Sequence, residues 1–318
     1  MAGKNHSEAT HSHSTPKSKW FKLIWIIPLA IIALLVVVLT AKWFRELPRV
    51  QLFITNYPGQ SRLPESAPVG FPAWLGWQHF LNVFFILLII RSGWLVRTTE
   101  NPRVYWIRNN NKSGLMHTKN PPSKISLQLW FHLFIDALWV LNGIVFYLLI
   151  FVTGQWMRLV PMHWDVLPNA LSTVIQYASL NWPTESGWVN YNSLQMLAYF
   201  TTVFIAAPLA IITGFRTSGA WPTNATRLNK IYPIEFARAL HFLVLLYFVL
   251  FISVHITLVM TTGLLRNLNH MYAVRNDGSW IGFWIFAGSI IAIIISAIAA
   301  RPLFLEPIAS LNGKLSSR

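Results

Sequence analysis

Long uncharged apolar runs alternate with shorter polar stretches along the whole chain. The runs predict helices at 23–41, 74–95, 126–152, 191–214, 235–262 and 280–300. Most are about 20 residues long, and a helix of that length crosses a hydrocarbon core roughly 30 Å thick. A transmembrane barrel would show short alternating segments instead. The pattern therefore predicts an all-α integral membrane protein with six transmembrane helices.

The polar stretches divide the chain into four parts. Residues 1–22 are polar and rich in Ser, which predicts a disordered cytoplasmic tail. Residues 23–73 hold the first helix and a Pro-rich outer loop that we expect to be ordered but non-helical. Residues 74–300 hold the other five helices as one bundle, and residues 301–318 are predicted to be a second cytoplasmic tail.

Two loops are long for a compact membrane protein. Residues 42–73 and 153–190 predict either a docking surface for a partner protein or a cover over a site. Within the second loop, residues 168–180 have an amphipathic helical pattern, which predicts a helix on the membrane surface. The sequence shows no internal repeat, and this argues against a transporter built from inverted repeats.

The charge of the chain is strongly positive, +15, although only 11% of the residues are charged. With the N-terminus in the cytoplasm, 18 of the 25 Lys and Arg fall on cytoplasmic segments, as the positive-inside rule requires. The sequence thus predicts a multi-pass protein of the cell (plasma) membrane with both termini cytoplasmic. The positive charge indicates anionic lipid as a partner. No nucleic-acid binding is expected, because alternating aromatic and basic patches are absent.

Cysteine is absent from the sequence. This excludes disulfides, thiolate metal sites and the covalent attachment of c-type haem. The sequence also shows no nucleophile–histidine–acid triad, no phosphate-binding glycine loop and no paired carboxylates. We therefore expect no bond-making chemistry on an organic substrate beyond quinone redox.

Four of the ten histidines lie within predicted transmembrane helices: His79, His132, His241 and His255. An ionisable group inside a bilayer is costly and usually functional. His241 and His255 are 14 residues apart on one helix, which places them on nearly the same face and about 21 Å apart along its axis. The alternating helix directions then put His79 at the depth of His255 in the outer half, and His132 at the depth of His241 in the inner half.

These two pairs predict two b-type haems, one in each leaflet. Two opposed imidazoles suit one six-coordinate haem iron, and two stacked haems form a path for electrons across the membrane. Zinc would need a third or fourth ligand close by, and the helices offer no cysteine and too few acids. The alternative is that each histidine makes an interhelical hydrogen bond.

Two arginines and four glycines near these histidines each have two possible roles. Arg238 lies one turn before His241 and would either pair with a haem propionate or extend to lipid headgroups. Arg91, near the inner end of the second helix, has the same two explanations. Four glycines would admit either a flat macrocycle or a neighbouring helix: Gly76, Gly93, Gly143 and Gly154.

Asp136 is the only acidic residue deep in a predicted helix, and it follows His132 by four residues on the same face. Three roles remain open for its carboxyl group. It would accept a proton from a quinol, hydrogen-bond a polar group such as Asn142 or a haem-pocket side chain, or make a purely structural bond.

Three segments carry a resemblance to a known family: WQHFLNV around His79, WFHLFIDALW around His132, and ARALHFLVLLYFVLFISVHITL around His241 and His255. They resemble the bacterial cytochrome b561/nickel-hydrogenase-type dihaem b cytochromes, which include membrane subunits of nickel hydrogenases, formate dehydrogenase and thiosulfate reductase. The resemblance covers roughly residues 74–300. The segments TGQWMRLVP and LRNLNHMYA are most similar to thiosulfate-reductase-like cytochrome b subunits.

The resemblance implies a four-helix core that holds two haem b groups through the four histidines. It also implies quinone or menaquinone as the lipid-soluble electron carrier, and a peripheral redox subunit such as a molybdopterin oxidoreductase. The extra first helix and the Pro-rich loop depart from the simplest family pattern. They leave open on which side of the membrane the quinone and the partner bind.

The sequence therefore predicts the electron-transfer subunit of a respiratory oxidoreductase complex. Two other functions stay open. One is a non-haem membrane transporter or proton channel, for which discontinuous helices would be the sign and Pro208 in the fourth helix is the candidate position. The other is a membrane anchor subunit without a cofactor, which would leave the paired histidines unexplained.

Overall fold

A computed structural model describes residues 19–110, 122–182, 187–222 and 224–317, with side chains from residue 24 onward. This part of the chain is mostly helical and contains one small sheet. Six helices are long and apolar enough to cross a membrane: Ile24–Arg45, Ala73–Thr98, Leu127–Val152, Ser193–Thr217, Ile234–Thr261 and Ile281–Ala299. The six predicted helices are confirmed to within a few residues, and they are those of a multi-pass membrane protein by length and composition.

The described chain contains twelve α-helices, three short helical segments of other types and three strands. The helices are α1 Lys19–Arg45, α2 Pro48–Asn56, α3 Ala73–Thr98, α4 Leu127–Val152, α5 Val166–Ala178, α6 Ser193–Phe200, α7 Ala207–Thr217, α8 Thr226–Ile231, α9 Ile234–Thr261, α10 Leu264–Leu268, α11 Ile281–Ala299 and α12 Pro302–Ser310. A 3₁₀ turn spans Gln155–Arg158, and π-helical segments span Thr201–Ala206 and Asn269–Ala273. The strands are β1 Val104–Arg108, β2 Lys124–Ser126 and β3 Gly313–Ser317.

The chain divides into two compact units. The described part of the first unit holds α1, α2 and the end of α5, from Val174. The second unit holds residues 57–173 and the described residues beyond α5 from 187 on. In this second unit α3 packs against α4, and α7 packs against α9. All four histidines of the predicted pairs lie on α3, α4 and α9, within this one unit.

The N-terminal region differs in two places from its prediction. Residues 19–22, predicted as tail, belong to α1, while residues 1–18 lie outside the described part of the chain. The Pro-rich stretch contains the helix α2, although we predicted a non-helical loop. Pro48 begins this helix, and proline suits that position because its fixed φ is already helical and its missing N–H has no partner there to lose.

The C-terminal residues 302–317, predicted as a tail, form α12 and β3. The sheet has the order β2-β1-β3, and both pairings with β1 are antiparallel. In addition, Trp106 Nε1 on β1 donates a hydrogen bond to the carbonyl oxygen of Ala309 on α12, at 2.9 Å. The end of the chain is therefore attached to the connection between α3 and α4.

Arg158 joins the two long loops of the second unit. Its guanidinium donates hydrogen bonds to the carbonyl oxygens of Gly70, at 2.6 Å, and Gly187, at 2.5 Å. The same group lies over the rings of Phe71 and Tyr191, with its Cζ 4.8 and 4.7 Å from their centroids. Because Arg158 is only 1% exposed, these carbonyls and rings replace the water that a guanidinium normally keeps.

The amphipathic helix predicted at 168–180 is confirmed as α5. Its polar face is buried: Asn169, Ser172, Thr173 and Gln176. Its apolar face is exposed: Leu167, Leu171 and Val174. An exposed apolar face is what a helix at a lipid surface presents, and the predicted position of α5 on the membrane surface is consistent with this burial pattern.

Candidate functional site

The structure brings the four histidines of the transmembrane helices together in the two pairs that the helix directions predict. His79 on α3 lies opposite His255 on α9, with ring centroids 6.3 Å apart. His132 on α4 lies opposite His241 on α9, with ring centroids 6.5 Å apart. The two pairs are near opposite ends of α9, and the rise of an α-helix separates them by about 21 Å.

These ring separations are compatible with one metal between each pair. A bond between a metal and an imidazole nitrogen is about 2 Å long, and that nitrogen lies about 1.1 Å from the ring centroid, so two imidazoles on opposite sides of one metal have centroids about 6.3 Å apart. Imidazoles in direct contact also have centroids roughly 4.5–7 Å apart. The centroid distance therefore does not distinguish a shared metal from direct contact, and the hydrogen bonds of each imidazole are considered next.

The imidazole of His132 is oriented by a hydroxyl group from α3. Its Nδ1 lies 2.9 Å from the Oγ of Ser92. The same hydroxyl donates its hydrogen to the carbonyl oxygen of Ile89, at 3.0 Å. Since a hydroxyl has one hydrogen, Ser92 accepts the bond from the imidazole, and the proton of His132 is on Nδ1. Its Nε2 then carries a free lone pair.

His241 has the same arrangement with α7. Its Nδ1 lies 2.8 Å from the Oγ1 of Thr213, and this hydroxyl donates to the carbonyl oxygen of Leu209, at 2.6 Å. The interhelical hydrogen bond that the sequence left as an alternative is thus present for both histidines of this pair. It uses Nδ1 alone, and a histidine that binds a metal through Nε2 usually donates its other N–H to a neighbouring group in this way.

Glycines stand next to both hydroxyl residues and contact the same two imidazoles. A Cβ added to Gly93 would lie 3.1 Å from Cε1 of His132, and one added to Gly214 would lie 3.6 Å from Cε1 of His241. Gly93 was one of the four glycines noted in the sequence, and here it makes room for an imidazole. Gly214 was not noted.

The other three glycines noted in the sequence have different surroundings. A Cβ on Gly76 would lie 2.6 Å from the carbonyl oxygen of Met271, so this glycine admits the π-helical segment 269–273 beside α3. No described atom lies within 4 Å of a Cβ built on Gly143. Gly154 has a φ of +74°, which a glycine adopts without strain.

The His79–His255 pair is surrounded by aromatic rings. Phe251 stacks on His255 with centroids 5.7 Å apart, and Tyr199 meets the same imidazole edge-on at 6.1 Å. Tyr272 meets His79 edge-on at 5.7 Å. The Nδ1 of His79 is buried and has no hydrogen-bond partner among the described residues. The two pairs therefore differ in what orients their imidazoles.

Asp136 lies close to the free nitrogen of His132. Its Oδ2 is 3.5 Å from Nε2, which exceeds the usual length of a hydrogen bond, about 2.7–3.2 Å. The predicted alternative of a bond to Asn142 is not formed, because the Nδ2 of Asn142 has no partner among the described residues. A nitrogen that binds a metal has no proton to share with a carboxylate, so these two uses of the His132 Nε2 exclude each other.

The two arginines noted in the sequence occupy different environments. Arg238 is exposed at the start of α9. Arg91 donates a hydrogen bond from Nη1 to the carbonyl oxygen of Ala300, at 3.2 Å. It also lines an open cavity of about 110 Å³ between α3, α4 and the start of α12. Pairing of either arginine with a propionate stays a prediction.

That cavity adjoins the His132–His241 pair. Its lining includes Arg91, Ser92, Gln128, Phe131, Arg301 and Leu305. Since Ser92 also contacts the imidazole of His132, one residue separates the cavity from the pair. The Oε1 of Gln128 is buried and has no hydrogen-bond partner among the described residues. The cavity combines apolar walls with a few polar groups, and its volume of about 110 Å³ is below the roughly 300–1,000 Å³ that is typical of small-molecule sites.

The residues suit a haem better than a metal ion held by protein alone. Among the described residues, no three His, Asp or Glu side chains group closely enough to hold a metal ion. A haem would need only two side chains from the protein, because its macrocycle would supply the other ligands of the iron. The chain offers two pairs of imidazoles, one between α3 and α9 and the other between α4 and α9.

His270 is a buried histidine outside the transmembrane helices. Its ring stacks on Phe71 with centroids 5.8 Å apart, and its Nε2 lies 2.8 Å from the Oδ1 of Asn276. Burial lowers the pKa of His270, and the positive charges of Arg266 and Arg158 lower it further, against the hydrogen bond to Asn276. We therefore assign His270 to the structure of the loops.

Comparison of the chain with protein-family models, with curated proteins and with solved structures found no match. The resemblance carried by the histidine segments therefore stays a prediction. The function is argued below from the geometry of the two histidine pairs.

Proposed function

We propose that this protein is the dihaem cytochrome b subunit of a membrane oxidoreductase, and that it passes electrons between the quinone pool and a peripheral, molybdopterin-type subunit. His79 and His255 would hold one haem b, and His132 and His241 the other. The observation that carries the proposal is the pair of opposed imidazoles at each end of α9, with centroids 6.3 and 6.5 Å apart. Haem supplies a one-electron redox centre when it is bound.

A small apolar cluster lies on α9 between the positions of the two pairs. Val244 and Phe248 on α9 are buried together with Ala206, and Trp139 on α4 packs against them. Trp139 and Phe248 meet edge-on, with centroids 6.4 Å apart. An apolar cluster at this position suits transfer of electrons without transfer of ions.

The fourth long helix does not show the discontinuity that would favour the transporter or proton-channel alternative. The fourth long helix is continuous from Ser193 to Thr217, because α6, the π-helical segment Thr201–Ala206 and α7 follow without a break. Polar groups in its middle are satisfied locally. The hydroxyl of Thr202 lies 2.7 Å from that of Tyr247, and Tyr147 donates to the carbonyl oxygen of Val203, at 2.5 Å.

The cavity beside Ser92 is the candidate site for the quinone ring, because polar groups line it next to the His132–His241 pair. Gln128 would accept a hydrogen bond from a quinol hydroxyl through Oε1, which is buried and has no partner among the described residues. Arg91 and Arg301 supply donors for a carbonyl oxygen at the same site. This position keeps the quinone one residue away from the His132–His241 pair.

The orientation and the location of the protein rest on its charge. With both termini in the cytoplasm, 18 of the 25 Lys and Arg lie on the cytoplasmic side of the cell membrane, where anionic lipids attract them. In this orientation the His132–His241 pair, the cavity and the sheet β2-β1-β3 face the cytoplasm, and the His79–His255 pair faces outward.

The first test is the visible spectrum of the full chain, purified in detergent after expression with haem supplied. We expect reduced-minus-oxidised bands of haem b and two haems per chain by pyridine haemochrome. Replacing one histidine of a pair, as in His255→Ala, should leave one haem. The exposed loop histidine His163 provides the control His163→Ala, which should keep both. A folded protein without haem would overturn the proposal.

The quinone and the partner need a separate measurement. Adding a short-chain quinol to the purified protein should reduce its haems, and a head-group inhibitor should block that reduction. Isolation of the protein from its native membrane at low salt should recover a redox subunit with it. A dihaem protein that no quinol reduces would limit the proposal to electron transfer without quinone.

A further inference from the structure

Two short segments on different helices repeat one arrangement. Ser92–Gly93 on α3 and Thr213–Gly214 on α7 are each a hydroxyl residue followed by glycine; we call them the hydroxyl–glycine pairs. In each, the hydroxyl contacts the Nδ1 of a histidine on the neighbouring helix, at 2.9 and 2.8 Å. In each, the glycine faces Cε1 of the same imidazole.

The direction of these hydrogen bonds follows from the second bond of each hydroxyl. Ser92 donates to the carbonyl oxygen of Ile89 and Thr213 to that of Leu209, so neither has a hydrogen left for the imidazole. Ser92 is 1% exposed and Thr213 is 0% exposed. Water therefore does not compete with the imidazoles for these two hydroxyls. The imidazoles are therefore the donors, through Nδ1.

We propose that Ser92 and Thr213 are positioning residues that set His132 and His241 as ligands through Nε2, while the adjacent glycines let the imidazoles approach. The inference rests on the proposed function and goes beyond it, because it assigns a role to two residues that bind no cofactor themselves. Holding the proton on Nδ1 leaves the lone pair of Nε2 free, and it fixes the plane of each ring.

The nearest competitor for the Nε2 of His132 is Asp136, whose Oδ2 is 3.5 Å away. At that distance the carboxylate does not hold the proton on Nε2, whereas the hydroxyl of Ser92, at 2.9 Å, holds it on Nδ1. The neighbouring imidazole of His241 is set in the same way by Thr213. With the proton held on Nδ1, both histidines of this pair keep a free lone pair on Nε2.

The His79–His255 pair provides an internal reference. Its imidazoles are bordered by aromatic rings, and the Nδ1 of His79 has no partner among the described residues. Loss of a hydroxyl at position 92 or 213 should therefore change one haem and leave the other unchanged. A general loosening of the bundle would instead affect both haems.

A hydrogen bond from Nδ1–H raises the basicity of Nε2 and favours the oxidised iron. Removing the acceptor should therefore raise the midpoint potential of that haem. Loss of such a partner typically lowers metal affinity about 10- to 100-fold, and we expect a similar increase in the rate at which this haem is lost to apomyoglobin.

The test compares the full chain with Ser92→Ala and Thr213→Val, using spectroelectrochemical titration of the purified protein. We expect one of the two midpoint potentials to rise in each variant and the other to stay constant. Ser92→Thr and Thr213→Ser keep the hydroxyl and should restore the original value. The control is Thr98→Ala, since Thr98 is an exposed residue of α3 whose hydroxyl bonds only the carbonyl oxygen of Trp94 among the described groups.

The outcomes separate this inference from the proposed function. Two haems with unchanged potentials in both variants would overturn the inference and leave the proposed function standing. A wild-type chain without haem would overturn both. If Ser92→Ala does not accumulate, Thr213→Val tests the same inference at the second hydroxyl–glycine pair. This variant keeps the shape of the side chain and removes only its hydroxyl.

Discussion

Phe251 lies almost parallel to the imidazole of His255, one helical turn away on α9, with ring centroids 5.7 Å apart and an interplanar angle of 7°. This stack limits rotation of the imidazole in a pair that is bordered by aromatic rings. We expect Phe251→Leu to weaken haem retention at the His79–His255 pair several-fold, because the stacking contributes about 0.5–1.5 kcal/mol. The rate of haem transfer to apomyoglobin measures the effect.

The matched control is Phe236→Leu, since Phe236 is an exposed residue of the same helix. Equal rates of haem loss in both variants would show that the stack on His255 has no role in haem retention.

Gly93 should not tolerate a methyl group. A Cβ there would lie 3.1 Å from Cε1 of His132, so Gly93→Ala must displace the imidazole by a few tenths of an ångström. We expect a shifted spectrum or partial loss of the haem at the His132–His241 pair. Gly288→Ala, at an exposed position of α11, places its methyl group in open space and should change neither haem. Identical pyridine haemochrome counts and spectra for the two variants would contradict this prediction.

Gln128 should matter for the quinone and not for the haems. Its unpaired Oε1 would accept a hydrogen bond worth about 0.5–1.5 kcal/mol, so Gln128→Leu should raise the quinol concentration needed for half-maximal reduction by up to about tenfold. Reduction by dithionite should remain complete. Stopped-flow reduction by a short-chain quinol measures the difference, and an unchanged concentration dependence would remove the cavity beside Ser92 as the quinone site.

Arg158→Lys should destabilise the loops despite keeping the charge. Lysine has no planar group to lie between Phe71 and Tyr191 and cannot reach both carbonyls as a fork does. Loss of one charged hydrogen bond costs about 1.5–3 kcal/mol, which should lower the midpoint of thermal unfolding in detergent. The exposed Arg62 offers the control Arg62→Lys. Equal unfolding midpoints would show that the fork geometry is not needed.

Asp277 should make the turn before α11 sensitive to acid. The backbone N–H of Ser279, followed by Arg275, lowers the pKa of this carboxyl from 3.8 to about 2. A lowered pKa means that the carboxylate stabilises the turn above pH 3.8, and that this contribution is lost as the pH falls toward 2. Protection of the Ser279 amide from hydrogen exchange, corrected for the intrinsic rate, should decrease over that range.

Asp277→Asn is the comparison for this measurement. It should show protection of the Ser279 amide that does not change with pH between 2 and 4, because no carboxylate is left to titrate. Equal pH profiles for the wild type and the variant would assign the effect to another group.

The long helices were predictable because the hydrocarbon thickness fixes their length, and their apolar runs are uninterrupted. The pairing of His79 with His255, and of His132 with His241, followed from helix direction and depth alone. The sheet was missed because β2 has three residues and strands this short carry no periodic signal. The ordered C-terminal residues were missed because β3 is recognisable only beside β1, its partner far earlier in the sequence.

Ser92 and Thr213 were missed because their role depends on how each helix is rotated about its axis. They are 40 and 28 residues from their histidines in sequence, and hydroxyl residues are common in membrane helices. One signal was present in the sequence: a hydroxyl residue followed by glycine occurs in both helices that face the His132–His241 pair. The role of these two hydroxyls could be recognised only from the positions of the histidines on the neighbouring helices.

The pairing of β3 with β1 also bears on the order in which the protein is assembled. A ribosome makes β1 before α4 and makes β3 after α12, so the edge of β1 that pairs with β3 stays unpaired until residues 313–317 have been synthesised. This edge of the sheet is therefore completed only after all six long helices have been made.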